Sequence, residues 1–275
     1  MNTNAAPSSV HNLHREDGSI AYTSDGDGPL VVCVPGMGDL RSSYRYLAPA
    51  LRTAGFRVVV TDLRGHGDSD TTFGSYGDEA TSGDIAALIE HLGGPAIIVG
   101  NSMAAGSAVL VAAERPELVA GLVLVGPFVR DPETNPFTRL LTRVLMAPQW
   151  AAASWAAYLP KLYAGAKPDD FNAYKSSVVK AMRATGHAKA FSLTTRTSHR
   201  AAEEALPRVH ASTLVVMGEL DPDFPDAPGE ARWIAEQLHG DVCLVPDAAH
   251  YPHSQRPDIV SPVIVAFAKS VFARA

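Results

Sequence analysis

The chain of 275 residues is poor in cysteine: it has only Cys33 and Cys243, each within a strand-like apolar run. Cysteines in such surroundings behave as small buried hydrophobic residues, so we expect neither a disulfide nor a reactive thiol. Charged residues make up only 19% of the chain, and no run of Lys or Arg forms a basic stripe. This shortage argues against a dedicated nucleic-acid binder.

Targeting signals and long hydrophobic runs are also lacking. The opening segment, MNTNAAPSSVHN, has neither the basic region nor the apolar core of a signal peptide. No stretch is long and apolar enough to span a bilayer. Since neither signal is found, we expect a soluble cytoplasmic protein, and 275 residues are enough to bury a sizeable core. The pattern indicates no particular oligomeric state.

The sequence does contain a regular alternation of strand and helix patterns. Short apolar runs that are typical of buried strands lie at 19–24, 30–34, 56–62, 96–100, 121–126, 213–218 and 242–246. Helical patterns lie between most of them, at 43–53, 77–92, 104–115, 228–238 and 257–273. This alternation predicts an α/β fold with a mostly parallel central sheet flanked by helices. The segments before residue 28 alternate in polarity, as a solvent-facing antiparallel pair would.

One region, residues 130–210, has no good strand pattern and interrupts the alternation. We predict that it is an inserted helical cap, with the core formed by 1–129 and 211–275. Its aromatic residues would line the substrate pocket, and the candidates are Trp150, Trp155 and Tyr158. The alternative is that these helices are extra packing on the sheet and that their aromatic residues belong to an ordinary core.

Three polar residues follow three of the predicted strands: Ser102, Asp221 and His250. The carboxyl ends of parallel strands meet at one edge of a sheet, where such folds bind their ligands. A serine hydroxyl becomes a nucleophile when an imidazole takes its proton and a carboxylate orients that imidazole. We therefore predict Ser102 as the nucleophile, His250 as the base and Asp221 as the orienting acid.

Such chemistry also needs backbone N–H groups that stabilise the negative oxygen formed on the attacked carbonyl. Met103 follows the predicted nucleophile at the start of a helix, and Met37 lies in the PGMG loop after strand 30–34. We predict that the N–H groups of these two residues form the oxyanion hole. Both methionines, together with the cap aromatics, indicate an apolar pocket.

Several alternatives to these roles stay open at this point. Ser102 could be an ordinary helix N-cap. A local rival to the predicted base is His253, and the rival acids are Asp223 and Asp131. His66, in RGHGDS, fits a packing role in its loop better than a catalytic one.

The order Ser, Asp, His, the strand–turn–helix pattern around Ser102 and the inserted cap resemble the α/β-hydrolase family. RGHGDS, GELDPDFP and AHYPHSQRP are similar to loops of that family, and the resemblance runs from about residue 18 to 272. It implies that Asp221 is the acid and His250 the histidine. The chain departs from the family pattern at Pro35, where His is usual, and at Ala104 and Ala249, where Gly is common.

The resemblance implies a serine hydrolase that cleaves a carboxylic ester or similar acyl bond of a small apolar substrate through an acyl-enzyme. Two other functions stay open. A carbon–carbon bond hydrolase of the same family often reads GNSMGG, close to GNSMAAG here, but usually has Trp at the position of Tyr251. A small-molecule receptor would keep the same residues but turn over very slowly.

We expect no cofactor and no metal. The PGMGDLR segment places G-x-G after a strand, as a dinucleotide-binding loop does, but Arg41 stands where the third glycine is required. His187 and His199 lie in helical sequence without the spacing of metal ligands. The expected partner is therefore a small-molecule substrate alone.

Overall fold

The computed structural model describes residues 9–132 and 135–274, in which eight strands form one sheet. The strands are β1 (His11–Arg15), β2 (Gly18–Asp25), β3 (Leu30–Val34), β4 (Arg57–Thr61), β5 (Ala96–Asn101), β6 (Val119–Val125), β7 (Ser212–Gly218) and β8 (Asp241–Val245). Their order in the sheet is β1-β2-β4-β3-β5-β6-β7-β8. Only the β1–β2 and β2–β4 pairs are antiparallel. The predicted mostly parallel sheet with an antiparallel N-terminal pair is confirmed.

The helices cover both faces of the sheet and fill the connections between strands. They are α1 (Leu47–Thr53), α2 (Asp78–Leu92), α3 (Met103–Glu114), α4 (Pro136–Leu145), α5 (Ala151–Leu162), α6 (Phe171–Met182), α7 (His187–Thr194), α8 (Arg200–Ala205), α9 (Ala227–Gln237), α10 (Pro252–Gln255) and α11 (Pro257–Phe272). Among the described residues, none of these helices has the length and hydrophobicity needed to cross a membrane.

The central strands are apolar on both faces because helices cover both. Along β3 every residue is buried, and its side chains alternate between two cores. Val32 and Val34 pack with α2, α3 and α9 on one face, whereas Val31 and Cys33 pack with α1 and α11 on the other. Cys33 is a free, buried thiol, which is the small hydrophobic role predicted for it.

Helices α4 to α8 lie between β6 and β7, within the predicted insertion. Helices α5, α6 and α7 share a third apolar cluster of their own, built around Trp155, Tyr163 and Tyr174. In contrast, Ala202 and Ala205 of α8 are buried in the core of the α2–α3 face. Helix α8 therefore packs with the sheet layers, and the separate helical layer consists of α5 to α7.

Candidate active site

Ser102 alone forms the turn between β5 and α3, since β5 ends at Asn101 and α3 begins at Met103. Its φ of 58° is positive, a conformation that costs a residue with a side chain free energy and that is found at functional sites. The Ser102 side chain makes no capping hydrogen bond to α3. The structure therefore does not support the helix N-cap alternative, and the turn places the hydroxyl at the carboxyl edge of the sheet.

Small residues make this turn possible. A Cβ atom at Gly100 would lie 2.6 Å from the Ala104 carbonyl oxygen, so only glycine allows the strand to meet the helix there. A Cβ atom at Gly36 would lie 2.7 Å from the Ser102 Cβ, so the loop after β3 also depends on glycine to approach the serine. Ala104, which replaces the usual glycine, is fully buried in the first turn of α3.

The His250 ring is held by Asp221. The Nδ1 atom of His250 lies 2.7 Å from Oδ2 of Asp221, and both residues are almost completely buried. Oδ1 of Asp221 accepts a hydrogen bond of 3.1 Å from the Asp223 N–H. Burial lowers the pKa of His250, but the charge and hydrogen bond of Asp221 and the charge of Asp223 outweigh it and raise the pKa to about 9. This arrangement fixes the ring with Nδ1 on the carboxylate.

Ser102 and His250 both lie beside the end of β6. The Ser102 N–H donates to the Val125 carbonyl at 2.9 Å, and the Asn101 side-chain amide donates to the carbonyls of both Val125 and His250, at 3.0 and 3.2 Å. A Cβ atom at Gly126, the next residue of the chain, would lie 3.1 Å from Nδ1 of His250. The nucleophile candidate and the histidine candidate thus pack around one strand end.

The rival acids have other partners. Oδ2 of Asp223 is 3.8 Å from Nδ1 of His250, and its Oδ1 accepts a hydrogen bond from the Tyr158 hydroxyl. Asp131 accepts hydrogen bonds from the N–H of His199 and from the preceding serine side chain, both at 2.6 Å. Asp221 is therefore the acid in hydrogen-bond contact with the candidate base. Asp223 is a second carboxylate that lies farther from the same ring nitrogen.

The rival histidines lie in packing positions. His253 is fully buried and its ring stacks on Tyr44, with 4.8 Å between ring centroids. Neither ring nitrogen of His253 has a hydrogen-bond partner within the described part of the chain, and burial lowers its pKa to about 3. Nδ1 of His66 bonds to the Arg64 carbonyl at 3.0 Å, within its own loop. Of these histidines, His250 is the one paired with a carboxylate at the strand ends.

Asp221, Asp223 and His250 each offer a ligand atom within 4.8 Å of the others, a set that a divalent cation could use. Their hydrogen bonds explain the same cluster: Asp221 binds the imidazole, and Asp223 accepts from Tyr158. We therefore interpret the cluster as an oriented histidine with two nearby carboxylates.

The two candidate oxyanion donors flank Ser102. Met103 is the first residue of α3, so its N–H has no partner within the helix and lies at the positive end of the helix dipole. Met37 follows Gly36, the residue in contact with Ser102, and packs between the sheet core and the α5–α7 cluster. Both N–H groups belong to segments that approach the serine closely.

The three aromatic candidates fall in two places. Trp155 is buried against the loop after β3, where a Cβ atom at Gly38 would lie 2.6 Å from its ring. Tyr158 reaches the acid loop through its hydrogen bond to Asp223. Trp150, in contrast, is 50% exposed, and its indole N–H donates to the Val144 carbonyl at 2.6 Å. The structure brings Trp155 and Tyr158 to the site but leaves Trp150 on the surface.

Sequence reasoning missed Asp39, a buried carboxyl beside the candidate oxyanion loop. Oδ1 of Asp39 accepts hydrogen bonds from the Tyr174 hydroxyl of α6 and from the Leu40 N–H. Its Oδ2 and Nε2 of His66 have no partner among the residues described, and both side chains line one small cavity of about 10 Å³. Burial raises the pKa of Asp39 to about 7. Asp39 could have been recognised in the sequence as an acidic residue within the PGMGDL turn, next to apolar residues.

Comparisons with known proteins agree with this fold. A model of the alpha/beta hydrolase family matches residues 31–263. The chain is 29% identical over 251 residues to 2-(acetamidomethylene)succinate hydrolase of Mesorhizobium japonicum, a match that covers 88% of each chain. A shorter match of 106 residues is 39% identical to the sn-1-specific diacylglycerol lipase of Mus musculus and spans 37% of this chain and 34% of that protein.

The solved structures give the same result at lower identity. The bromoperoxidase of Bacillus anthracis superposes with a TM-score of 0.81 at 20% identity, and the alignment covers 95% of this chain and 99% of that one. At this identity the likeness concerns the fold alone. Because the family model extends over most of the chain, its membership is clear: the chain belongs to the alpha/beta hydrolase family.

Proposed function

We propose that the protein is a serine hydrolase that cleaves a carboxylic ester, or a similar acyl bond, of a small apolar substrate through an acyl-enzyme. The observation that carries this proposal is the positive-φ turn at Ser102 beside the hydrogen-bonded His250–Asp221 pair. That combination of a hydroxyl at the carboxyl edge of the sheet, an oriented imidazole and a buried carboxylate is what nucleophilic acyl transfer requires.

In the proposed reaction the Ser102 oxygen forms a bond to the substrate carbonyl carbon while His250 takes the hydroxyl proton. The imidazolium then gives that proton to the leaving alcohol as the ester bond breaks. Water, deprotonated by the same histidine, attacks the acyl-enzyme and releases the acid and the free serine. Asp221 stabilises the imidazolium through its contact of 2.7 Å with Nδ1.

The negative oxygen formed in each step is stabilised by the N–H groups of Met37 and Met103. Preorganised backbone donors of this kind typically contribute about 3 kcal/mol or more each to transition-state stabilisation. Gly36 is essential to this role because any side chain there would push the Met37 loop away from Ser102.

Helices α5 to α7 form the cap over this site in the same proposal, with the insertion extending over residues 130–210. Trp155 and Tyr158 line the substrate pocket, since one contacts the oxyanion loop and the other the acid loop. The names of two relatives support a hydrolase: one is named 2-(acetamidomethylene)succinate hydrolase, and the other, matched over 37% of this chain, is named an sn-1-specific diacylglycerol lipase.

The proposal is tested by hydrolysis of p-nitrophenyl esters from acetate to octanoate, beside a carbon–carbon cleavage substrate. Ser102→Ala should lower kcat by a factor on the order of 10⁴ to 10⁶ while the protein stays folded. Ser107→Ala is the matched control, because Ser107 is a buried serine of the adjoining helix α3 whose hydroxyl donates to the Met103 carbonyl of that helix.

An activity of about a tenth of wild type in Ser102→Ala would refute the nucleophile assignment. Turnover of the carbon–carbon substrate in place of the esters would favour the related carbon–carbon hydrolase activity. A single labelling event without further turnover would favour a receptor.

A further inference from the structure

Helix α4 exposes an apolar face that globular proteins normally bury. Phe137, Leu140, Leu141, Val144 and Leu145 follow the spacing i, i+3, i+4, i+7, i+8 and therefore share one face. Between 46% and 74% of each of these residues is exposed to solvent. A stripe of five large apolar side chains in this state is a candidate interaction surface.

Helix α4 has further exposed side chains among those that the structure describes. Thr142 and Arg143, which lie off the apolar stripe, are also open to solvent. The apolar cluster beneath the cap is built by α5, α6, α7 and Tyr251, without the five apolar residues of α4. Trp150, just beyond the end of α4, is half exposed and is tied to that helix through Val144. The helix and this tryptophan therefore form one exposed amphipathic unit.

Charge is distributed unevenly between this region and the rest of the chain. Residues 136–194, from the start of α4 to the end of α7, contain eight Lys and Arg against two Asp. The rest of the chain contains fifteen Lys and Arg against 27 Asp and Glu. Most of the basic side chains in the helical region are exposed, namely Arg143, Lys161, Lys167, Lys180, Arg183 and Lys189. The helical region from α4 to α7 thus carries an excess of positive charge, in a chain whose net charge is −6.

We propose that α4 docks the protein on the surface of an anionic phospholipid bilayer. The apolar face of α4 would enter the boundary between headgroups and acyl chains, to a depth of about 5–10 Å, as interfacial helices do. The exposed Lys and Arg of the α5–α7 layer would contact lipid phosphates, as basic residues do near an anionic membrane surface. Trp150 suits the headgroup level because its ring is apolar and its N–H is polar.

Charge favours a bilayer over a second copy of the chain. A symmetric dimer through α4 would bring two basic helical layers against each other, and like charges at an interface oppose association. Anionic headgroups supply the opposite charge over the whole contact. An anionic bilayer would therefore bury the apolar face of α4 and also bind the basic side chains of the helical region.

The test uses the full chain with Ser102→Ala, so that binding is measured without turnover and independently of the proposed hydrolysis. Co-sedimentation is measured with vesicles of equal parts phosphatidylcholine and phosphatidylglycerol, and with vesicles of phosphatidylcholine alone. We expect binding to the first and much weaker binding to the second, with a loss of binding as salt is raised.

The double substitution Leu140→Ser and Leu141→Ser should weaken vesicle binding by about tenfold or more, since it removes two apolar side chains from the buried face. The control is Val10→Ser, because Val10 is similarly exposed, at 48%, but lies outside the helical layer. In an otherwise wild-type chain, both variants should keep hydrolysis of a short soluble ester, which shows that they are folded.

Three results would overturn the proposal. Equal binding to the two kinds of vesicle would show that binding does not depend on anionic lipid. If the double substitution left vesicle binding unchanged, α4 would not be the part of the protein that contacts the bilayer. An absence of vesicle binding would reject the bilayer as occupant, and light scattering would then show whether α4 joins two copies of the chain.

Discussion

His250 needs a neutral ring to act as a base, so the activity should depend on its pKa. Burial lowers that pKa, but Asp221 and Asp223 raise it above the ordinary 6.5, to about 9. The rate should therefore rise with pH through this raised value, because deprotonation creates the base. The midpoint of the acid limb of kcat/KM, measured from about pH 5 to about pH 10, should lie above 6.5.

Asp223 provides the control for this prediction. Asp223→Asn removes one of the negative charges that raise the pKa of His250, while the backbone N–H that bonds Asp221 remains. The midpoint should therefore move to lower pH, with kcat reduced far less than in Asp221→Asn. A wild-type midpoint below 6.5, or one that Asp223→Asn does not move, would contradict the assignment of His250 as the base.

Asp39 should make stability depend on pH. Its folded pKa of about 7 lies above the unfolded value of about 3.9, so the folded state holds the proton more tightly. The carboxyl therefore costs stability as pH rises from about 4 to about 7 and continues to do so above that range. Asp39→Asn should unfold at higher urea concentration than wild type near pH 8 and at a similar concentration near pH 4. A difference that is the same at both values would contradict the burial argument.

At the residue scale, candidate site residues that follow strands could be predicted from the sequence. Residues that hydrogen-bond to other parts of the site from distant segments could not. Ser102, Asp221 and His250 lie in the loops that follow predicted strands, and the structure places the three at one edge of the sheet. Their roles remain predictions until they are tested by substitution. Asp39 and Asn101 were missed because their contacts are made with Tyr174 and His250, which are distant in sequence.

At the scale of elements, the helical layer should control which substrates enter. Trp155→Ala should enlarge the pocket and shift kcat/KM towards longer acyl chains by about tenfold or more, at about 0.8 kcal/mol per methylene buried. Trp150→Ala is the matched control, because Trp150 is exposed and should leave the chain-length profile unchanged. The profile is measured on p-nitrophenyl esters from acetate to octanoate.

If Trp155→Ala kept the wild-type profile and only lost thermal stability, its side chain would be structural core. Trp155→Phe distinguishes a pocket-lining role from a structural one, since phenylalanine is a smaller aromatic residue that keeps most of the packing. A profile that shifts in Trp150→Ala as well would show that the exposed tryptophan reaches the substrate.

The position of each insertion helix could not be predicted from its pattern. Apolar spacing predicts that a helix has an apolar face but does not identify what that face contacts. The apolar face of α8 packs on α3, that of α5 joins the cap cluster, and that of α4 meets solvent. Trp150 and Trp155 therefore looked equivalent in sequence but differ in burial.

At the scale of the whole molecule, the fold class was predictable because strand and helix patterns alternate over most of the chain. The eight-stranded sheet and the family match confirm it. The net charge of −6 concealed the basic helical layer, because the excess of acid in the rest of the chain cancels it. That asymmetry becomes meaningful only once the fold shows which residues form a separate layer.

The central claim is that Ser102 carries the acyl group during turnover. A rapid-quench reaction with a p-nitrophenyl ester, followed by digestion and peptide mass measurement, tests it most directly. We expect a mass increase equal to the acyl group on the peptide that contains Ser102, formed in a burst with p-nitrophenol and absent from Ser102→Ala. An acyl group on any other residue, or full turnover by the Ser102→Ala variant, would contradict it.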